Sequence, residues 1–309
     1  MYSNISRSEE YKSRLLDFIQ REYGIKADNI SPAKRGFYGE TWRLTATNSR
    51  YFLKLDYSPH KVLYESSFPI IDHICNHGID FISRIVKTAD SRLSARFDGA
   101  VLGVFDWIDG ENTESDATKI PEYQMLAKVY TVPSGGVPIQ REDFSGKSAE
   151  KFFEQWGSLD DKQLHSLLDK NRIKLEHRAK RLKYFAKLCR GDTAGFFITH
   201  GDAGGNLIVS GDRYFIVDWD EPRLAPPERD TWVMCCRDFA RDAFQNALRQ
   251  NGIVHTLRPE RLAYYCYHYF FFYLTSYLDA FKQSETVREI EEYIDNWIEG
   301  SIQYADMTL

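Results

Sequence analysis

His200-Gly201-Asp202-Ala203-Gly204-Gly205-Asn206, followed by Asp218-Trp219-Asp220, is the stretch on which the reading of this chain turns. The apolar run Phe196-Phe197-Ile198-Thr199 leads into it, and Tyr214-Phe215-Ile216-Val217 leads into Asp218. The pattern predicts a strand, a polar loop, a hairpin turning at Ser210-Gly211-Asp212, and an acid at a strand end. That order can bring Asp202, Asn206 and Asp218 into one cleft. Such a trio suits phosphoryl transfer. One carboxylate orients an attacking hydroxyl, while an amide oxygen and a second carboxylate hold magnesium on the phosphates. Gly-Asp alone is ordinary turn chemistry. The two segments carry the argument because they occur together, in order, around a predicted hairpin.

On these residues the chain resembles the aminoglycoside phosphotransferase and choline kinase group, whose pattern is H-G-D-x-x-x-N, an apolar strand, then D-W or D-F. His200, Gly201, Asp202, Asn206, Asp218 and Trp219 match it. Protein kinases set the Asn five residues after the Asp; here the interval is four, which favours the small-molecule kinases. The segment Ile216 to Pro222, continuing through Leu224-Ala225-Pro226 and Glu228-Arg229-Asp230, is most similar to spectinomycin phosphotransferases. Tyr130, after Leu126-Ala127, departs from the His common in the family and concerns packing more than chemistry.

The resemblance implies an α+β, two-lobed protein-kinase-like fold: a small antiparallel-sheet lobe over residues 1–103, a hinge over 104–110, and a mostly helical lobe over 111–309. It implies ATP or GTP as co-substrate and Mg2+ as the metal. Asp202 becomes the catalytic acid-base residue, and Asn206 and Asp218 the metal ligands. Lys54, in Tyr51-Phe52-Leu53-Lys54-Leu55, is either an outward-facing strand lysine or the lysine that reaches the phosphates. The resemblance selects the second. Glu65 on the following helix is then the expected carboxylate partner of Lys54, the alternative being a solvated helix residue. Gly36 and Gly39, in Lys34-Arg35-Gly36-Phe37-Tyr38-Gly39-Glu40-Thr41, read as a hairpin loop, or in family context as the phosphate-covering loop. In Val104-Phe105-Asp106-Trp107-Ile108-Asp109-Gly110, the Asp106 C=O and Ile108 N–H are the expected adenine contacts, with Trp107 beside them and Phe105 behind. His200 is expected to hold the loop. Asp220 and Glu221 are the acids expected to meet a cationic acceptor, with Glu228 as a further candidate; the acids of the C-terminal helix, Glu289 to Glu299, read as a solvated face in preference to a source of negative potential for the site.

Composition narrows the partners. The 309 residues are 43% hydrophobic with a net charge of −5, a globular chain and not a general nucleic-acid binder. The basic stretch Lys170 to Lys187 reads as one face of a helix. No signal peptide is expected, and the apolar run Tyr264 to Leu274 is too short to span a bilayer, so it reads as a buried helix. Five cysteines without metal-ligand spacing suit a reduced, cytoplasmic protein. The expected partners are therefore a small molecule and a nucleoside triphosphate, with no nucleic acid and no membrane.

Periodicity predicts a helix opening at Ser8, strands near 29–35, 40–47 and 50–56 with a turn at Asn48-Ser49, and a helix from Lys61 to Asn76 ended by Gly78. Strands follow near 83–88 and 100–108, then helices near 118–131, 149–157, 161–190, 228–250, 258–283 and 285–299. The leading function is phosphorylation of an aminoglycoside or aminocyclitol antibiotic. Alternatives are a kinase for choline, an amino alcohol or a sugar, a protein kinase, and a non-catalytic pseudokinase. The Asn206 spacing and the lack of an A-P-E segment oppose the protein kinase, and the complete Lys, Asp, Asn, Asp set opposes the pseudokinase.

Overall fold

The computed structural model describes residues 7–33, 39–57, 61–113, 115–191, 193–281, 287–296 and 299–307. The chain divides into two compact units, one of residues 1–140 and 200–224, the other of 141–199 and 225–309.

In the first unit, Ser8 caps α1 (Glu9–Tyr23) by accepting from the Tyr11 N–H, and Gly24 ends it in the left-handed region. The strands β1 (Ala27–Pro32), β2 (Glu40–Ala46) and β3 (Ser49–Asp56) follow, then α2 (Lys61–Asn76). The strands β4 (Ile85–Val86), β5 (Ala95–Phe97), β6 (Ala100–Asp106) and β7 (Glu111–Asn112) precede α3 (Asp116–Val129). The main sheet runs β1-β2-β3-β6-β4, with β5 also pairing to β6, and its ladders are antiparallel. The β2–β3 turn is Thr47-Asn48, one residue earlier than expected, and β5 and β7 were not foreseen. Both are too short to show a period.

Strand alternation sorts β3 into two faces. Leu53 and Leu55 join Leu15, Ile19, Leu44, Leu102 and Val104 in a core beneath α1. Phe52 and Lys54 take the opposite face. On that face Gly103 of β6 lets α2 approach, since a Cβ there would lie 2.6 Å from Phe68 Cζ.

The second unit contains α4 (Lys147–Gly157), α5 (Lys162–Lys170), α6 (Arg172–Cys189) and β8 (Phe197–Thr199). The chain then returns to the first unit for β9 (Leu207–Ser210) and β10 (Arg213–Ile216), which pair antiparallel about the Gly211-Asp212 turn. β7 adds to β9, making a small sheet β10-β9-β7. After β11 (Arg223–Ala225) come α7 (Glu228–Thr231), α8 (Asp238–Gln250), α9 (Pro259–Phe281), α10 (Val287–Asn296) and α11 (Glu299–Met307).

The helix expected over 161–190 is two helices broken at Asn171, whose side-chain amide donates to the Leu167 carbonyl (3.0 Å). An Asn side chain competing for backbone partners interrupts a helix in this way. The 228–250 segment likewise divides into α7 and α8, and α11 lies beyond the last expected helix. α9 buries Tyr264, Tyr265, Tyr267, Phe270 and Phe271, and α4, α6 and α11 pack on it, as an all-round apolar helix requires. No helix among the described residues is long and apolar enough to cross a membrane. All five cysteines are free. Lys170 and Lys174 pair with Glu291 (2.9 Å) and Asp295 (2.6 Å), so the basic helical face and the C-terminal acids neutralise each other locally. Glu299 lies outside the described side chains.

Gly103→Ala should push Phe68 off the sheet and destabilise the fold by about 1–3 kcal/mol. Chemical denaturation checks this, and Phe68→Leu in the same background should recover part of the loss.

Candidate active site

Lys54 sits mid-strand in β3, opposite Thr41 of β2 and Gly103 of β6, and is only 6% exposed. A buried ammonium needs partners. It donates to Asp218, and to both carboxylate oxygens of Asp220 at 2.6 Å each. Burial alone would lower the Lys54 pKa, but Asp218 and then Asp220 outweigh it and hold the ammonium well above its ordinary value. Enclosure would likewise raise Asp218, yet Lys54 holds it below the usual carboxylate range. Asp220 is pushed up to about 7, by burial first and by the charge of Asp218, against the pull of Lys54.

The backbone after β10 brings both acids to one lysine. Asp218 has φ +67°, in the left-handed region that costs a non-glycine residue about 1 kcal/mol or more. The Asp220 N–H then donates to the Asp218 carbonyl (2.9 Å), closing a tight turn.

His200 ties this turn to the Asp202 loop. Its Nε2 donates to the Val217 carbonyl (2.9 Å), and its Nδ1 accepts from the Asp202 N–H (3.1 Å). These partners require the proton on Nε2, so the imidazole acts as a neutral brace. Trp219 packs against it edge to face, ring centres 4.5 Å apart, and donates from Nε1 to the Ile216 carbonyl (3.1 Å). Asp202 is exposed. Asn206 Nδ2 donates to the Asp202 carbonyl (2.7 Å) and to Asp202 Oδ2 (3.3 Å). The amide nitrogen is thereby spent on the loop, and the amide oxygen is the end suited to a metal.

The donor set fits magnesium. Asp218 and the Asn206 amide oxygen are hard ligands, and magnesium is usually held by one or two carboxylates together with substrate phosphates. Two acids facing one ammonium also leave an excess of negative charge, which the raised Asp220 registers.

A cleft of about 400 Å³ opens onto these groups. Phe52, Phe105, Trp107, Ile108, Ile208 and Val217 form an apolar box at one part of its lining, and Lys54, Asn206, Asp218 and Asp220 supply the charged and polar part. The Asp106 carbonyl already accepts from Ser83 Oγ (2.6 Å), and the Asp106 N–H donates to the Arg84 carbonyl (2.9 Å). The Ile108 N–H pairs with none of the described residues. Gly110 passes close under β9, where a Cβ would lie 2.3 Å from the Val209 carbonyl. The Asn112 side chain donates to the Gly205 carbonyl, fastening β7 to the Asp202 loop.

Several expectations need correction. Glu65 does not hold Lys54: it is 41% exposed and pairs with Arg96, and the carboxylates on Lys54 are Asp218 and Asp220. Helical periodicity held the signal. Tyr64, Phe68, Ile71 and Cys75 form the buried stripe of α2, and Glu65 lies about 100° around the helix from Tyr64. Asp220, expected at the acceptor, is bound to Lys54 inside the cleft. Glu221 is half-buried and does not line that cleft. Glu228 is fully buried, receiving His255 Nε2 (3.1 Å) and the Arg258 N–H (2.7 Å), so it anchors its own unit and meets no substrate. Gly36 lies outside the described residues. Gly39 has φ +74° and passes so near β3 that a Cβ would lie 2.3 Å from the Leu55 carbonyl. The contacts of Asn112 and Tyr64 were missed.

Comparison with solved structures finds the same fold in several kinases of small molecules. Spectinomycin phosphotransferase in complex with ADP and spectinomycin is similar with a TM-score of 0.75 at 19% identity, covering 94% of this chain and 98% of that one. Choline kinase LicA from Streptococcus pneumoniae gives 0.64 at 13% identity, covering 97% and 100%. A microcompartment-associated aminopropanol kinase gives 0.61 at 14%, covering 95% and 96%. No curated protein sequence matches the chain. The family model of the phosphotransferase enzyme family matches residues 29–265. The chain therefore belongs to the phosphotransferase enzyme family.

Proposed function

We propose that the chain transfers the γ-phosphate of ATP or GTP to a hydroxyl of a cationic aminocyclitol of the spectinomycin type. The observation that carries the phosphoryl-transfer part is the convergence of Lys54, Asp218 and Asp220 beside the Asp202–Asn206 loop, on a cleft with an apolar box. The base lies in the box, and its edge meets the Ile108 N–H. Lys54 neutralises phosphate charge. Asn206 and Asp218 hold magnesium, which when bound offsets charge on the phosphates. Asp202 orients the acceptor hydroxyl toward the γ-phosphorus. As the new P–O bond forms and the bond to the nucleoside diphosphate breaks, the hydroxyl proton passes to Asp202 late, because a loose transition state needs no early deprotonation. Asp220 restrains Lys54, which leaves Glu221 as the nearby acid proposed for the cationic acceptor.

The acceptor class rests on two supports: the segment from Ile216 to Asp230, and a TM-score of 0.75 to a spectinomycin phosphotransferase against 0.64 and 0.61 for the choline and aminopropanol kinases. The second reading, a kinase of choline, an amino alcohol or a sugar, shares every group named: cationic choline or an amino alcohol would meet Glu221 as well, and only a neutral sugar leaves it without a role. Purified protein with labelled ATP and GTP, offered spectinomycin, aminoglycosides, choline, amino alcohols and neutral sugars, separates the two. Phosphorylation of a neutral sugar or an amino alcohol with none of the antibiotics would overturn the acceptor class and leave the chemistry standing.

Asp202→Asn should cut kcat by about 10²–10⁴-fold while the nucleotide affinity stays close to wild type. Steady-state kinetics and nucleotide titration check the two halves separately. Asp218→Ala should instead weaken nucleotide binding only when magnesium is present, so a magnesium titration of nucleotide affinity should flatten; an unchanged titration would remove Asp218 as a ligand. Glu221→Gln should raise KM for the cationic acceptor a few-fold, with little change in KM for the nucleotide, and the difference should shrink as salt is added.

A further inference from the structure

We propose that Tyr64, through the face of its ring, is the residue of α2 that positions Lys54 for the nucleotide phosphates. The proposal rests on the phosphotransferase reading above and adds a positioning residue to it. Lys54 Nζ lies 5.1 Å from the centre of the Tyr64 ring, within the range at which an ammonium is drawn to an aromatic face. The ring is fixed from behind. It stacks on Phe68 at 5.6 Å, Phe68 meets Phe105 edge-on at 5.4 Å, and Gly103 leaves room for both.

The hydroxyl does not explain the placement of this residue. Tyr64 is 2% exposed, and its buried Oη has no hydrogen-bond partner among the described residues. Leaving a buried hydroxyl unpaired is costly, so the ring must contribute what keeps the residue there. Burial also pushes the phenol pKa up, and Tyr64 stays neutral beside the ammonium.

Charge accounts for the choice of an aromatic residue. Two carboxylates already face one ammonium in this cluster. A third from α2 would add unneutralised charge where phosphates must also bind. An aromatic face attracts the ammonium without adding a negative charge and without competing for a metal. Were Asp218 to hold magnesium, its hold on Lys54 would be shared, and the ring's would not. Glu65, one position along, is turned to Arg96.

The test compares Tyr64→Phe, Tyr64→Leu, Tyr64→Met and Glu65→Gln with the wild-type chain. One readout is the NMR shift of the Lys54 ε-protons in protein labelled at lysine, assigned by their loss in Lys54→Met. The other is MgATP affinity by calorimetry. In the wild type, Tyr64→Phe and Glu65→Gln, the ε-protons should show an upfield ring-current shift and MgATP should bind equally well. In Tyr64→Leu, or in Tyr64→Met should the leucine variant unfold, the shift should vanish and affinity should fall about tenfold, as loss of about 1–2 kcal/mol implies. Full affinity without the ring, absence of the shift in the wild type, or an equal loss in Tyr64→Phe or Glu65→Gln would overturn the proposal while leaving the phosphotransferase reading intact. Failure of the wild-type chain to bind MgATP would fell both.

Discussion

The Lys54 ammonium is held by Asp218 and Asp220, residues 164 and 166 positions further along the chain, and the first unit is organised around that clasp. A lysine in the middle of a sheet is unfavourable unless it is paired. The sheet therefore needs the β9–β10 hairpin to return to it, and the hairpin needs the left-handed turn at Asp218 so that two acids converge on one nitrogen. Strand alternation supplies the opposite half of the arrangement: it commits Leu53 and Leu55 to the core under α1, which leaves Phe52 and Lys54 for the cleft.

Around this clasp the supporting contacts are short and local to the backbone. His200 joins the Asp202 loop to the end of β10 through its two ring nitrogens, so Asp202 and the turn that carries Asp218 are registered by one neutral side chain. Asn112 and the β7–β9 ladder join the segment after Gly110 to the same loop, so the cleft residues Ile108 and Asn206 lie on elements already tied together. The second unit solves a different problem. Its buried Glu228 gathers His255 and the Arg258 N–H, the helix α9 forms its centre, and its acidic and basic helix faces pair with each other.

Legibility followed the range of the interactions. Asp202, Asn206, Asp218 and the hairpin between them were readable because their spacing is set locally, by a loop and a two-residue turn. The long periodic helices α1, α2 and α9 were readable for the same reason, and Ser8 and Gly24 mark the ends of α1 by cap chemistry. The break at Asn171 was missed because one side-chain amide overrides a helical period that continues on both sides. Glu65 was misassigned because an acidic residue on the expected helix drew more weight than the face it occupies; the stripe Tyr64, Phe68, Ile71 and Cys75 already turned it away from the sheet.

By itself the amino-acid sequence determined the fold class and the order of the longer strands and helices, and it picked out residues of the types that phosphoryl transfer uses, because these depend on local period, turn chemistry and residue type. Tertiary structure alone decided which charges meet. That Lys54 takes Asp218 and Asp220 and not Glu65, that Asp220 lines the cleft beside Lys54, and that Glu228 is an internal anchor all depend on distances between segments remote in the chain. A carboxylate looks the same in sequence whether it faces a substrate, a metal or a buried cation. Only its distance to the nearest opposite charge, and the water excluded between them, separates those roles.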